Sequence, residues 1–197
     1  MTEKKKPRVT KRDIIELSLI AGIFLVIYFT GSQAEVFGKV QSVILKTGIM
    51  NASVEKDEAI NADLNFSLTD VEGNLLNVSS LKGKTIFINV WATWCAPCVA
   101  EMPGINKLYN KLEENENIFF LMISQDESLE KAVQWSGKKG FGFKVYSALN
   151  LPNQFRTGYV PSTFVVSPEG DIVLTKTGIA NYNTRKFEKF LLGLASP

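Results

Sequence analysis

Apolar and polar positions divide the chain into four stretches. Residues 1–13 are polar and mostly cationic, and residues 14–30 (IIELSLIAGIFLVIYFT) form an apolar run broken only by Glu16 and Ser18. A helix over that run spans about 25 Å, slightly under the ~30 Å hydrocarbon core of a bilayer. The run extends to Ala34, and Tyr28 sits where an interfacial aromatic belongs. Apolar residues then recur at Val36, Phe37, Val40, Val43, Ile44 and Ile49, close to one face of a helix over residues 36–50. Such a short amphipathic helix lies on a membrane or on the following domain. Residues 51–61 (NASVEKDEAIN) are polar and read as a linker, which sets the domain boundary near Ala62. The division is therefore a basic tail at 1–13, a transmembrane segment at 14–34, a juxtamembrane helix and linker at 35–61, and a domain at 62–197.

Beyond Ala62 the hydrophobic period alternates between strand and helix. Short strands are predicted at 64–68 and 75–78 around the turn Glu72-Gly73-Asn74, and a turn at Lys82-Gly83-Lys84 precedes a β-branched and aromatic run at 85–91. That run has the character of a buried central strand. Val99, Met102, Ile105, Leu108, Tyr109 and Leu112 recur at helical spacing, with Pro103 expected to kink the helix by removing a backbone donor. A second buried strand follows at 118–124, a helix at 129–135 and a short strand at 143–147. A hairpin at 162–167 and 171–175 turns at Pro168-Glu169-Gly170, and a helix at 184–194 closes the chain. The fold class is α/β, a mixed sheet with helices on both faces.

Charge sharpens the reading of the N-terminus. The 197 residues carry a net charge of +2, but residues 1–13 hold six cations (Lys4, Lys5, Lys6, Arg8, Lys11, Arg12) against Glu3 and Asp13. The rest of the chain is weakly acidic, so no basic face for nucleic acid is present. Cations before an apolar run put the N-terminus inside and the remainder outside. An uncleaved signal anchor is the expectation, because the run exceeds the ~7–15 residues of a secretory h-region. A cleaved signal peptide ending near Ser32-Gln33-Ala34 and a buried core helix are the alternatives. Either export route delivers the domain to an oxidising compartment.

Two cysteines and no histidine remain to carry chemistry. Without imidazole there is no Cys–His catalysis, and two thiols alone leave a structural zinc short of ligands. Cys95 and Cys98 follow the strand-like Asn89-Val90-Trp91 and open a helical stretch. A helix start offers unpaired N–H groups and a partial positive charge, which hold a thiol ionised. Cys98 stands one turn on, within reach, so Cys95 can attack a substrate disulfide and Cys98 can resolve the mixed disulfide. Pro97 fits the first turn, where its missing N–H costs nothing. A purely structural disulfide, a metal site and two inert thiols are the competing readings. No cofactor and no metal is called for.

The string WATWCAPC, with Glu101 and Pro103 in Cys-x-x-Glu-x-Pro spacing, Leu81-Lys82-Gly83-Lys84 upstream and Val160-Pro161-Ser162-Thr163-Phe164 downstream, resembles the TlpA/ResA-type branch of the thioredoxin-like superfamily. The likeness runs from about Ala62 to the C-terminus, departing at Val90, where the family usually has an aromatic. It implies a thioredoxin-like sheet, Cys95 as attacking thiol, Cys98 as resolving thiol, and Pro161 as a cis-proline beside them with Val160 preceding it. Glu101, three residues after Cys98, is expected to accept the Cys98 proton with a pKa raised by partial burial; a surface glutamate supporting the helix start is the alternative. Asn89 stands where classical thioredoxins have a buried aspartate and cannot titrate. Trp94, Ala96, Pro97, Val160 and Pro161 are the expected substrate contacts, while Trp91 is core.

These readings converge on a membrane-anchored thiol–disulfide oxidoreductase on the outer side of a bacterial inner membrane. Ala96-Pro97 offers no polar side chain to stabilise the thiolate, which favours a reductant. Its electrons come from a membrane thiol donor and go to disulfides of exported proteins, among which the resemblance includes apocytochrome c awaiting haem. A disulfide oxidase or isomerase of the same fold is the first alternative, and a non-catalytic assembly module the second. Peroxidase chemistry lacks the required threonine and proline ahead of Cys95.

Overall fold

The computed structural model describes residues 10–29, 33–52 and 58–196. The basic tail at 1–9, the end of the apolar run at 30–32 and the middle of the polar stretch at 53–57 lie outside them. The chain divides into two compact units, Met1–Gln33 and Ala34–Pro197.

In the first unit, helix α1 (Lys11–Phe29) starts with a reciprocal cap. The Thr10 N–H donates to Asp13 Oδ2 at 2.7 Å, and the Asp13 N–H donates to Thr10 Oγ1 at 3.3 Å. Ile14, Ile15, Leu17, Leu19, Ile20 and Leu25 are all exposed on this helix. Among the described residues no helix is long and apolar enough to cross a membrane.

The second unit is built on a mixed sheet. Its strands are β1 (Ile60–Asn61), β2 (Ser67–Thr69), β3 (Leu75–Asn77), β4 (Thr85–Trp91), β5 (Ile118–Ser124), β6 (Val145–Ala148), β7 (Ser162–Val166) and β8 (Asp171–Thr177), in spatial order β1-β8-β7-β4-β5-β6-β2-β3. Strands β4, β5 and β6 are parallel neighbours, and the remaining pairings are antiparallel. Central β4 is buried at all seven positions. Its alternation assigns Phe87 and Trp91 to one core layer and Ile86, Ile88 and Val90 to the other. Asn89 shares the Phe87 and Trp91 face.

Helices α3 (Ala96–Leu112), α4 (Leu129–Lys138) and α5 (Arg185–Ala195) all pack on that same layer, through residues such as Met102, Ile105, Ala132, Phe187 and Leu191. This corrects the expectation of helices on both faces. The opposite layer is covered by Leu64 and Phe66 in extended chain and by two short 3-10 turns, Val78–Leu81 and Asn153–Phe155. The 13 residues between β6 and β7 include Pro152 and Pro161 and have no room for a long α-helix. Strand ends shift as well: Val78 belongs to a 3-10 turn, and β6 begins at Val145 rather than at Phe143. Pro103 lies inside α3, which continues past it as one element to Leu112.

Helix α2 (Gln33–Lys46) rests on this unit. A Cβ on Gly38 would come within 2.8 Å of Val99 Cγ1 and 3.1 Å of the Ala96 carbonyl, so only glycine permits the approach. Glu35 accepts a hydrogen bond from Trp135 Nε1 at 3.2 Å and pairs with Lys139 at 3.2 Å. Its outer face leaves Phe37, Val40 and Val43 exposed. The stretch read as a linker carries paired backbone at both ends. The Ala52 N–H donates to the Asn181 carbonyl at 3.0 Å, and β1 pairs with β8.

Candidate active site

Cys95 caps the N-terminus of α3. Its backbone is extended, and its sulfur accepts the Cys98 N–H at 3.2 Å, meeting one of the donors a helix start leaves unpaired. Ala96 and Pro97 occupy the first helical positions, where proline gives up no helix bond. The two sulfurs are joined as a disulfide with the Cα atoms 5.2 Å apart. Cys98 is fully buried, whereas Cys95 retains slight exposure, so an incoming thiolate or disulfide meets Cys95 first.

The wall opposite is the segment entering β7. The Val160–Pro161 peptide is cis, and the Val160 carbonyl oxygen lies 3.5 Å from Cys95 Sγ. A reduced thiol at that position has an acceptor to donate to. Trp94, 59% exposed, and Val160 border a groove of about 470 Å³ completed by Gln125, Arg156 and Tyr159. Of the expected contacts, Trp94 and Val160 line this groove, Ala96 and Pro97 stand between the two cysteines, and Pro161 follows Val160 through the cis bond. Tyr159 and Arg156 were not legible, because their loop carries no pattern beyond the proline that follows.

Glu101 is buried more completely than expected, at 1% exposure. It stands one turn after Cys98 on α3 and accepts hydrogen bonds from Asn89 Nδ2 at 2.9 Å and from the Ala180 N–H at 3.2 Å. Desolvation by burial pushes its pKa up to about 8, against the opposing pull of those two bonds and of the Lys176 charge. Asn89 gives its second amide proton to Thr163 Oγ1 at 2.8 Å, its register partner across β4 and β7. The Tyr182 side chain is buried on the loop after β8, and burial first and the Glu101 charge second push its pKa up. Asn89 therefore does not replace a titrating aspartate but holds a glutamate from the neighbouring helix. The signal was present: an amide side chain in the middle of a mostly apolar central strand has to find partners.

Asp126 was missed altogether. Its side chain is fully buried beside the cysteine loop, with Oδ2 accepting from the Thr93 N–H at 2.9 Å and Oδ1 from the Thr93 hydroxyl at 2.6 Å. Ser124 Oγ donates to Oδ2 at 2.9 Å. Its only sequence signal is its place just past the C-terminal end of a central strand, where open α/β sheets gather functional side chains.

A family model described as Redoxin matches residues 57–190. The chain is 32% identical over 111 residues to the thiol-disulfide oxidoreductase ResA of Bacillus thuringiensis (strain Al Hakam), covering 55% of this chain and 64% of that protein. It therefore matches just under two thirds of that relative's length. Over 177 residues it is 29% identical to the ResA of Geobacillus kaustophilus (strain HTA426), covering 89% of this chain and 90% of that one. Among solved structures, a thiol:disulfide interchange protein of the thioredoxin family from Chlorobium tepidum TLS superposes with a TM-score of 0.57 at 22% identity. That match covers 71% of this chain and all of the other, and it shows the fold.

Proposed function

The chain belongs to the redoxin family and to its ResA-type thioredoxin-like branch, and on that premise we propose that it is a membrane-anchored reductant of disulfides in exported proteins. The observation that carries this reading is Cys95 at the cap of α3, its sulfur on the Cys98 N–H and facing the Val160 carbonyl. A thiolate there is stabilised by the helix start. It attacks a substrate disulfide RS–SR′ and releases R′S⁻. Cys98 passes its proton to the Glu101 carboxylate, and its sulfur then displaces RS⁻ to close the Cys95–Cys98 bond. Two electrons move from the dithiol to the substrate sulfurs, and Glu101 ends protonated. A pKa near 8 suits that state, because the acid is then loaded to protonate Cys98 when a donor dithiol reopens the disulfide. The groove beside Val160 receives an extended substrate segment, with Trp94 and Tyr159 as apolar contacts.

Anchoring rests on the apolar run at 14–34 behind its cationic tail, and the exposed apolar side chains of α1 support it. On this reading the catalytic domain stands outside a bacterial inner membrane and draws electrons from a membrane thiol donor. Apocytochrome c is one substrate to test.

Trapping partners on a Cys98→Ala variant tests the whole assignment. The variant stalls as a mixed disulfide on Cys95, and exported thiol proteins are the expected captures. Capture of nothing by Cys98→Ala, with equally sluggish alkylation of both thiols at neutral pH, would refute it. A midpoint potential near the oxidising extreme of about −120 mV would reverse the direction of electron flow.

A further inference from the structure

We propose that Asp126 is a positioning residue that also sets the redox poise of the dithiol, its buried negative charge disfavouring the Cys95 thiolate and so making the pair more strongly reducing. This inference deepens the reductant reading and rests on it. Nothing in the exchange steps uses Asp126, yet its carboxylate is fully buried and committed to the cysteine loop. Both of its Thr93 contacts, to the N–H and to the hydroxyl, fall two residues before Cys95. The same loop is held at its base by the Gln125 N–H donating to the Trp91 carbonyl at 2.8 Å and by the turn from Cys95 N–H to the Ala92 carbonyl at 3.3 Å. The facing charges are few. The nearest cation is the exposed Lys131, whose Nζ is 3.9 Å from Oδ1, and the remaining direct partners, Thr93 and Ser124, are neutral.

The Thr93 hydrogen bond and the turn from Cys95 to Ala92 keep the Asp126 carboxylate within about 12 Å of Cys95 Sγ. At that distance, with the effective dielectric of a protein near its surface, a unit charge changes the thiolate's stability by about tenfold. A less stable thiolate weakens the reduced form, and a weaker reduced form is a better reductant. The helix start and Asp126 therefore act in opposition on one sulfur. The first makes Cys95 ionisable, and the second keeps the disulfide from becoming an oxidant.

The test compares the full chain with Asp126→Asn, Thr93→Val and Lys131→Met. Each is equilibrated with glutathione for its potential and alkylated across pH for the Cys95 titration. Asp126→Asn is expected to lower the Cys95 titration midpoint and to shift the thiol–disulfide equilibrium about tenfold toward the dithiol, about 30 mV more oxidising. Thr93→Val loosens the tether without changing charge and leaves the potential in place. Lys131→Met, a surface change that leaves the fold intact, removes the opposing cation and moves the potential the other way. An Asp126→Asn chain with unchanged potential and titration overturns the proposal, as does a Thr93→Val chain that shifts the potential as far. If Asp126→Asn does not fold, an unmoved or oppositely moved potential in Lys131→Met overturns it. These are differences between variants, so they stand even if the wild-type potential turns out to be oxidising.

Discussion

Glu101 couples burial to pH, and the coupling has a calculable size. Its ordinary pKa of 4.5 rises to about 8 because the carboxyl is withdrawn from water on α3. The folded chain thus keeps a proton at Glu101 where the unfolded chain has released it. With the folded value above the unfolded one, the associated stability is complete below pH 4.5. It declines as the unfolded carboxyl ionises and is gone once pH passes about 8. The gap of about 3.5 pH units, at about 1.4 kcal/mol per unit, makes roughly 5 kcal/mol in all, of which about 3 kcal/mol is lost by pH 7. Against a total stability of about 5–15 kcal/mol, that is a large fraction.

Glu101→Gln removes the titration and keeps the shape. The Gln amide adds a donor where Asn89 and Ala180 already donate, but Asn89 has a buried Oδ1 without a hydrogen-bond partner. Rotating the Asn89 amide turns that oxygen toward the new N–H. The oxidised full chain and its Gln variant are unfolded with urea in detergent between pH 4 and 9, followed by tryptophan fluorescence, since Trp91 is fully buried. Wild type minus variant is expected to fall by about 3 kcal/mol from pH 4.5 to 7 and to level off above pH 8. Parallel profiles would show that Glu101 ionises normally in the folded chain, and the acid–base role drawn from its burial would go with it.

Asn89→Ala removes a hydrogen bond that lowers the Glu101 pKa, so the pH profile of the resolving step should move upward by about one unit; stopped-flow measurement of internal disulfide closure reads it, and an unmoved profile counts against the relay. Gly38→Leu places a side chain against Val99 and the Ala96 carbonyl, which should lift α2 off α3 at a cost of about 1–3 kcal/mol. Hydrogen exchange over α2 should then accelerate while α5 stays protected. Trp94→Ala removes a half-exposed contact surface beside Cys95, so KM for a protein disulfide should rise about tenfold with kcat nearly kept. An equal loss in both constants would place Trp94 in the chemistry instead.

The local order of elements was legible because each strand and helix of the domain carries its own period. The run at 85–91 is apolar on both faces and became β4, and the spacing from Val99 to Leu112 became α3. The cysteine pair and Glu101 were legible for a related reason, since their spacing fixes which of them share a helix start or a face, whereas Pro161 was expected only through the family resemblance. Layering was not. That α3, α4 and α5 share one core while 3-10 turns close the other depends on how short the connection from β6 to β7 is in space, which periodicity does not encode.

The sequence by itself determined the close cysteine pair and the helix start that Cys95 caps, because a cap and an i,i+3 neighbour are fixed within a single turn. Only the tertiary structure decided what surrounds that turn. Asn89 meets Glu101 from 12 residues away and Thr163 from 74, Asp126 reaches Thr93 from 33, and Gly38 lets α2 close on α3. Burial and charge act through space, so the pKa of an acid depends on whichever distant segments exclude its water, and those segments become neighbours only when the sheet assembles.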